Sequence, residues 1–118
     1  MRAARALSVS AALALMPSIA LAQIDEMMVL QTIRPCWYPP NGPAAKIAVG
    51  ILGSLGRDGR VVEARVAPES IMRDPLHAAA NTAALRTVLN PSCQPWPIPS
   101  ASYESWKSFR LTFDPRRF

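Results

Sequence analysis

Two short proline-rich segments limit what this chain can fold into. Residues 35–43 read "PCWYPPNGP" and residues 92–99 read "SCQPWPIP", and each contains one cysteine and one tryptophan. Proline fixes φ and lacks the backbone N–H, so no helix runs through such a stretch and no central strand tolerates it. The helices and central strands must therefore lie outside these two segments.

The N-terminus has the three parts of a secretory signal peptide. Arg2 and Arg5 give it a positive start, and an apolar run covers residues 6–16. Pro17 follows, and residues 20–22 (Ala-Leu-Ala) place small side chains at the positions that a signal peptidase reads. The sequence predicts cleavage after Ala22.

Cleavage at this point leaves residues 23–118 as one small domain in the periplasm, in contact with a membrane only during export. The net charge of the whole chain is +5, and two of its arginines leave with the signal peptide. No basic run is interleaved with aromatic residues, so we predict no nucleic-acid role. The alternative is an uncleaved anchor helix, although the apolar stretch 6–22 is short for a membrane span and Pro17 interrupts it.

The two cysteines predict one disulfide, Cys36–Cys93, because an exported chain meets an oxidising compartment. In the chain-entropy model, closing a loop of this length contributes roughly 4 kcal/mol. The bond would hold the two proline-rich segments side by side, with Trp37 and Trp96 covering it. The alternative is a pair of buried free thiols.

The N-terminal half of the domain predicts a helix followed by a hairpin. Residues 23–34 place Ile24, Met27, Met28 and Ile33 at helical spacing, and Pro35 ends the helix. Two alternating apolar runs, residues 46–56 and 61–67, flank an Asp58-Gly59 turn, which is a strong hairpin signal. In the second run we expect one face to carry Val62, Ala64 and Val66.

The C-terminal half predicts a second helix and a third strand. Asp74 is a candidate N-cap, Pro75 suits the first helical position, and Asn90-Pro91 ends an alanine-rich helix. Apolar and polar residues then alternate over residues 108–113. The order α-β-β-α-β predicts a small two-layer α+β domain: a three-stranded antiparallel sheet with helices on one face.

Little in the sequence points to catalysis. His77 is the only histidine, and it lies beside Asp74 on the second helix, where we expect it to be solvated. There is no metal-ligand motif and no phosphate-binding glycine loop. With both cysteines paired, no nucleophile remains. We therefore expect no enzyme activity, no metal, no cofactor and no small-molecule substrate.

Five motifs in a fixed order carry a resemblance to a known family. They are "CWYPP", the strand–"RDG"–strand hairpin, "DPLHAAANTAALR", "CQPWPIP" and "YESWKSFRLTFDP". In this order, over residues 24–116, the chain resembles the C-terminal domain of TolA, the envelope-spanning component of the Tol–Pal system of Gram-negative bacteria. The C-terminal domain of TonB has a similar architecture, so a TonB-like energy-transducer tip is a second reading.

The resemblance implies a protein-protein interaction domain that serves cell-envelope integrity. TolA and TonB tips offer a sheet edge to partner segments by strand addition, so the implied partner is a TolB-like or Pal-like envelope protein or peptide. Here the leader is followed almost at once by the domain, so we expect the binding role of the tip rather than force transmission. The candidate partner-binding edge is the last strand: Lys107, Ser108, Phe109, Arg110, Leu111, Thr112 and Phe113.

A second class of function remains open. The same domain is consistent with a free-standing, disulfide-stapled structural or inhibitory periplasmic protein without those partners. A pull-down from periplasmic extract separates the two hypotheses.

Overall fold

A computed structural model describes residues 25–118. The predicted signal peptide, its predicted cleavage site and Ile24 lie outside this range. Helix α1 occupies residues 25–33 and buries Val29, Leu30 and Ile33. The helix is as predicted, but Met27 and Met28 are exposed, because the buried stripe follows the 29-30-33 spacing of one helix face.

Strands β1 (Val49–Leu55) and β2 (Val61–Val66) form the predicted antiparallel hairpin. At its turn the Gly56 N–H donates to the Arg60 carbonyl oxygen at 2.8 Å, and Gly59 adopts φ +82°. Glycine suits this position because it has no Cβ to clash at positive φ. The predicted Asp58-Gly59 turn is therefore confirmed.

Strand β2 differs from the prediction at Val62. The pairing runs from Ser54 opposite Glu63 directly to Leu55 opposite Val61, so Val62 forms a bulge. A bulge shifts the side-chain alternation by one residue. Val62 is 71% exposed as a result, and Val61 takes the place against the core that the alternating pattern assigned to Val62.

Helix α2 (Pro75–Leu89) begins and ends where the sequence predicts. The Asp74 side chain caps it by accepting from the backbone N–H of His77 at 2.9 Å. Hydrogen bonds from the His77 backbone and then from its ring lower the pKa of Asp74 below its ordinary value. The helix packs small side chains on the sheet, which lets it approach closely: Ala80, Ala83, Ala84, Thr87 and Val88.

A short helix, α3 (Tyr103–Trp106), precedes strand β3 (Ser108–Phe113). The sheet order is β2-β1-β3, with both pairs antiparallel. Buried and exposed residues alternate strictly along β3, and the helices contribute to the same hydrophobic core as its buried face. The predicted α+β fold and its α-β-β-α-β order are confirmed, with α3 and several one-turn 3₁₀ helices in addition.

The predicted disulfide is present. Cys36 and Cys93 are bonded across 57 residues of sequence, and both are nearly buried. The two tryptophans lie in separate aromatic clusters. Trp37 lies 4.9 Å from Phe113 and Trp96 lies 5.0 Å from Phe109, between ring centroids, so each belongs to an aromatic cluster at a different end of β3. Within residues 25–118, no helix has the length and apolar character needed to cross a membrane.

Candidate functional site: the free edge of the sheet

The candidate partner-binding strand lies at one side of the sheet. Six of its seven predicted residues form β3, which pairs along its full length with β1 in the register Val49–Phe113 to Ser54–Ser108. Lys107 lies before the strand, and its carbonyl oxygen accepts from the Leu55 N–H at 3.0 Å. Lys107 therefore continues the β1 ladder rather than offering its carbonyl to a partner.

Two hydrogen bonds fix which main-chain groups of β3 point outward. The Gly50 N–H donates to Ser70 Oγ at 2.8 Å and the Gly50 carbonyl accepts from the Ala67 N–H at 2.8 Å, both on the β2 side. Gly50 therefore makes no ladder bond to Thr112, which lies opposite it. In an antiparallel pair bonded and non-bonded positions alternate. The groups of β3 that face away from β1 thus belong to Ser108, Arg110 and Thr112.

These three residues form what we call the β3 edge. Within residues 25–118, no other segment hydrogen-bonds to their N–H or C=O groups. An added strand would meet three donors and three acceptors in regular spacing, with no bulge to interrupt them. The chemistry of this edge is therefore main-chain hydrogen bonding.

The other residues of β3 hold this edge in place. Phe109, Leu111 and Phe113 are buried, and their N–H and C=O groups face β1. Aromatic rings pack at both ends of the strand, with Trp96 against Phe109 and Trp37 against Phe113. The strand is thus fixed by its core face while its outer backbone stays free to pair.

Both predicted cations at this edge are paired with carboxylates of the same chain. Lys107 Nζ lies 2.9 Å from Glu104 Oε2, and the Arg110 guanidinium pairs with Glu69. The Lys107 hydrogen bond lowers the pKa of Glu104, and the same pair raises the pKa of Lys107. Exposed ion pairs of this kind contribute little free energy, so the outward main-chain groups are the main chemical feature of this edge.

The opposite side of the sheet, which we call the β2 edge, is partly covered. The bulge at Val62 interrupts it, and the Val61 N–H donates to Gln94 Oε1 at 2.9 Å. The backbone N–H of Trp96 donates to the Gly59 carbonyl oxygen at 2.7 Å. The alternation leaves only Ala64 and Val66 with outward main-chain groups at this edge.

Sequence reasoning missed the residues that cover the β2 edge. Gln94 lies 33 residues from Val61, and neither has a local pattern that predicts their contact. The sequence also missed Glu69, which reaches Arg110 from the 3₁₀ turn Pro68–Ser70. The one feature of the sequence that could have indicated this contact is that residues 94–96 directly follow Cys93. The disulfide holds them close to the hairpin.

Residues 25–118 contain no group of three or more candidate metal ligands. His77 is half-buried, and its Nδ1 lies 2.7 Å from Asp74 Oδ2, so its ring contacts the N-cap residue of α2. Its ring is thus less solvated than the sequence suggested.

Comparison with protein-family models, with curated proteins and with solved structures finds no match to this chain. The resemblance to the TolA C-terminal domain therefore rests on the motif order alone. Its functional implications are developed next as a proposal.

Proposed function

We propose that this protein is a periplasmic interaction domain of the cell envelope that binds a partner segment by strand addition at the β3 edge. One observation carries the proposal: Ser108, Arg110 and Thr112 direct a regular, bulge-free row of main-chain groups away from the sheet. Regular edges of this kind are a known mode of peptide recognition, in which main-chain bonds supply the affinity.

The partner class comes from the resemblance to the TolA tip. We infer a TolB-like or Pal-like envelope protein, or a peptide from one. The location in the periplasm is supported by the N-terminal leader and by the disulfide, which is typical of oxidising compartments. N-terminal sequencing of the exported protein is expected to begin at Gln23, and an intact Met1 would contradict this part of the proposal.

A pull-down from periplasmic extract tests the binding mode with two matched proline variants. Thr112→Pro removes an outward N–H from the β3 edge, and Ala64→Pro removes one from the β2 edge. Neither N–H belongs to the ladder with β1, so both variants are expected to stay folded. Thr112→Pro is expected to weaken capture at least tenfold, because a donor is lost and the ring blocks the approaching strand.

Arg110→Ala is the side-chain control. The variant removes an exposed guanidinium and keeps every main-chain bond, so capture should change by less than about fivefold. All variants must retain the far-ultraviolet circular dichroism and thermal midpoint of the wild type. If Arg110→Ala abolishes capture while a folded Thr112→Pro variant binds normally, recognition depends on side chains and strand addition is wrong. If the wild type captures no envelope protein, the structural or inhibitory alternative takes its place.

A further inference from the structure

A pocket of about 200 Å³ lies beside the β3 edge on the helix-covered face of the sheet. Trp106 and Phe109 supply its apolar part, and both are more than nine-tenths buried. Glu26 of α1 supplies a carboxylate. The residues that line the pocket are Glu26, Ser105, Trp106, Phe109 and Arg110.

The charge of this pocket is set by Glu26. The Arg110 guanidinium is engaged with Glu69, so it does not neutralise the Glu26 carboxylate. Arg117 Nη1 lies 3.9 Å from Glu26 Oε1, beyond hydrogen-bond distance, and its side chain is 47% exposed. A pair at this separation, with an exposed cation, is weak. The pocket therefore joins an apolar wall to a carboxylate that is only loosely paired.

An added strand would place one side chain at this pocket. An antiparallel partner bonded to Ser108, Arg110 and Thr112 makes hydrogen-bonded pairs at those three positions. Its residue opposite Phe109 then lies in a non-hydrogen-bonded pair, where the side chains are closest and share one face of the sheet. That face is the one on which Phe109 lines the pocket.

We propose that the partner strand carries a lysine or arginine opposite Phe109. Its aliphatic stem packs on Trp106 and Phe109, and its cationic head pairs with Glu26. Contact between the cation and the face of an aromatic ring adds to this attraction. The inference rests on the proposed strand addition and adds the specificity that main-chain bonds alone do not supply.

Selection of random peptides displayed on phage against the purified protein tests this inference. We expect extended sequences with lysine or arginine enriched at one fixed position. For a selected peptide, Glu26→Gln should weaken binding about fivefold. Glu26→Lys should reverse the preference, so that a new selection enriches aspartate or glutamate at the same position. Glu63→Gln, which removes an exposed carboxylate on β2, is the matched control and should leave binding unchanged.

The outcomes separate this inference from the proposed function. If selected peptides lose binding with Thr112→Pro but show no basic preference and no response to Glu26→Gln, the pocket inference is overturned and strand addition stands. N-methylation of alternate peptide amides tests the same main-chain bonds without altering the protein. If peptide binding survives both Thr112→Pro and N-methylation, strand addition is overturned and the pocket inference falls with it.

Discussion

The two edge strands of this three-stranded sheet have the same length, but one edge is interrupted and partly covered and the other is regular and uncovered in the described residues. The β2 edge has a bulge at Val62 and receives the side chain of Gln94 at Val61. The β3 edge is regular and has no such cover within the described part of the chain. Bulges and covering segments are the devices by which proteins prevent unwanted strand pairing. Within the described residues only the β2 edge has these devices, and the proposed strand addition assigns pairing to the β3 edge.

The disulfide contributes to this difference between the two edges. Cys93 ends the 3₁₀ turn Pro91–Cys93, and the segment that covers the β2 edge, residues 94–96, follows directly. The bond to Cys36, which ends the 3₁₀ turn directly after α1, anchors the start of that segment. Fixing the segment also fixes Trp96, which packs on Phe109 in β3. The disulfide thus supports both the segment that covers the β2 edge and the packing of Trp96 on Phe109 behind the β3 edge.

Removing the disulfide is expected to have the largest effect. Cys93→Ala should lower the free energy of unfolding by about 2–5 kcal/mol, the usual loss for a small disulfide-bonded domain. Denaturant unfolding under non-reducing conditions measures this loss. The double variant Cys36→Ala/Cys93→Ala should lose a similar amount, because the bond is already absent from the single variant. Unfolding unchanged from the wild type would show that the bond does not anchor the covering segment.

Gly59→Ala tests how closely the covering segment approaches the hairpin. Gly59 has φ +82°, and a Cβ there would lie 2.6 Å from the Trp96 carbonyl oxygen. Gly42→Ala is the matched control, because Gly42 has φ +66° but no atom within 4 Å of the added Cβ. Each variant should lose about 1–3 kcal/mol from backbone strain. The loss at Gly59 should be the larger one, and equal losses would contradict the close approach.

Gln94→Ala should expose the start of the β2 edge. The Val61 N–H loses its acceptor, which costs about 1 kcal/mol and speeds hydrogen exchange at that amide. Gln94→Glu keeps an oxygen acceptor at the same position and should preserve the protection of Val61. If Gln94→Ala leaves the exchange rate of Val61 unchanged, the side chain does not cover the edge.

Acid should weaken the end of β3 by a smaller amount. A side-chain hydrogen bond from Arg116 lowers the pKa of Asp114, which follows the strand directly, below its ordinary value of 3.8. A lowered folded-state pKa contributes stability that is present above pH 3.8 and is lost as the pH falls through the folded-state pKa. Thermal midpoints measured from pH 6 downward should fall less steeply in Asp114→Asn than in the wild type. Identical slopes would show that this pair does not contribute.

Local signals in the sequence predicted most of the fold. The Asp58-Gly59 turn, the Asp74 cap with Pro75, and the alternation of Phe109, Leu111 and Phe113 depend on neighbouring residues, so they are visible without a structure. The predicted signal peptide, together with the presence of two cysteines, was enough to predict the disulfide.

The features that distinguish the two edges were not predictable in the same way. The bulge at Val62 depends on how two strands pair, and the Gln94–Val61 contact joins distant parts of the chain. The alternation of residues 108–113 predicted that the side chains of Ser108, Arg110 and Thr112 point outward, but it did not give the direction of the main-chain groups. Only the register with β1 shows that the free main-chain groups belong to Ser108, Arg110 and Thr112.

Amide hydrogen exchange in the presence of the captured partner tests the central claim most directly. In the free protein the amides of Arg110 and Thr112 should exchange faster than that of Leu111, whose N–H faces β1. Partner binding should slow exchange at Arg110 and Thr112 and leave Ala64 and Val66 on the β2 edge unchanged. If a bound partner leaves Arg110 and Thr112 unprotected, or protects the β2 edge instead, then β3 is not the strand that receives the partner.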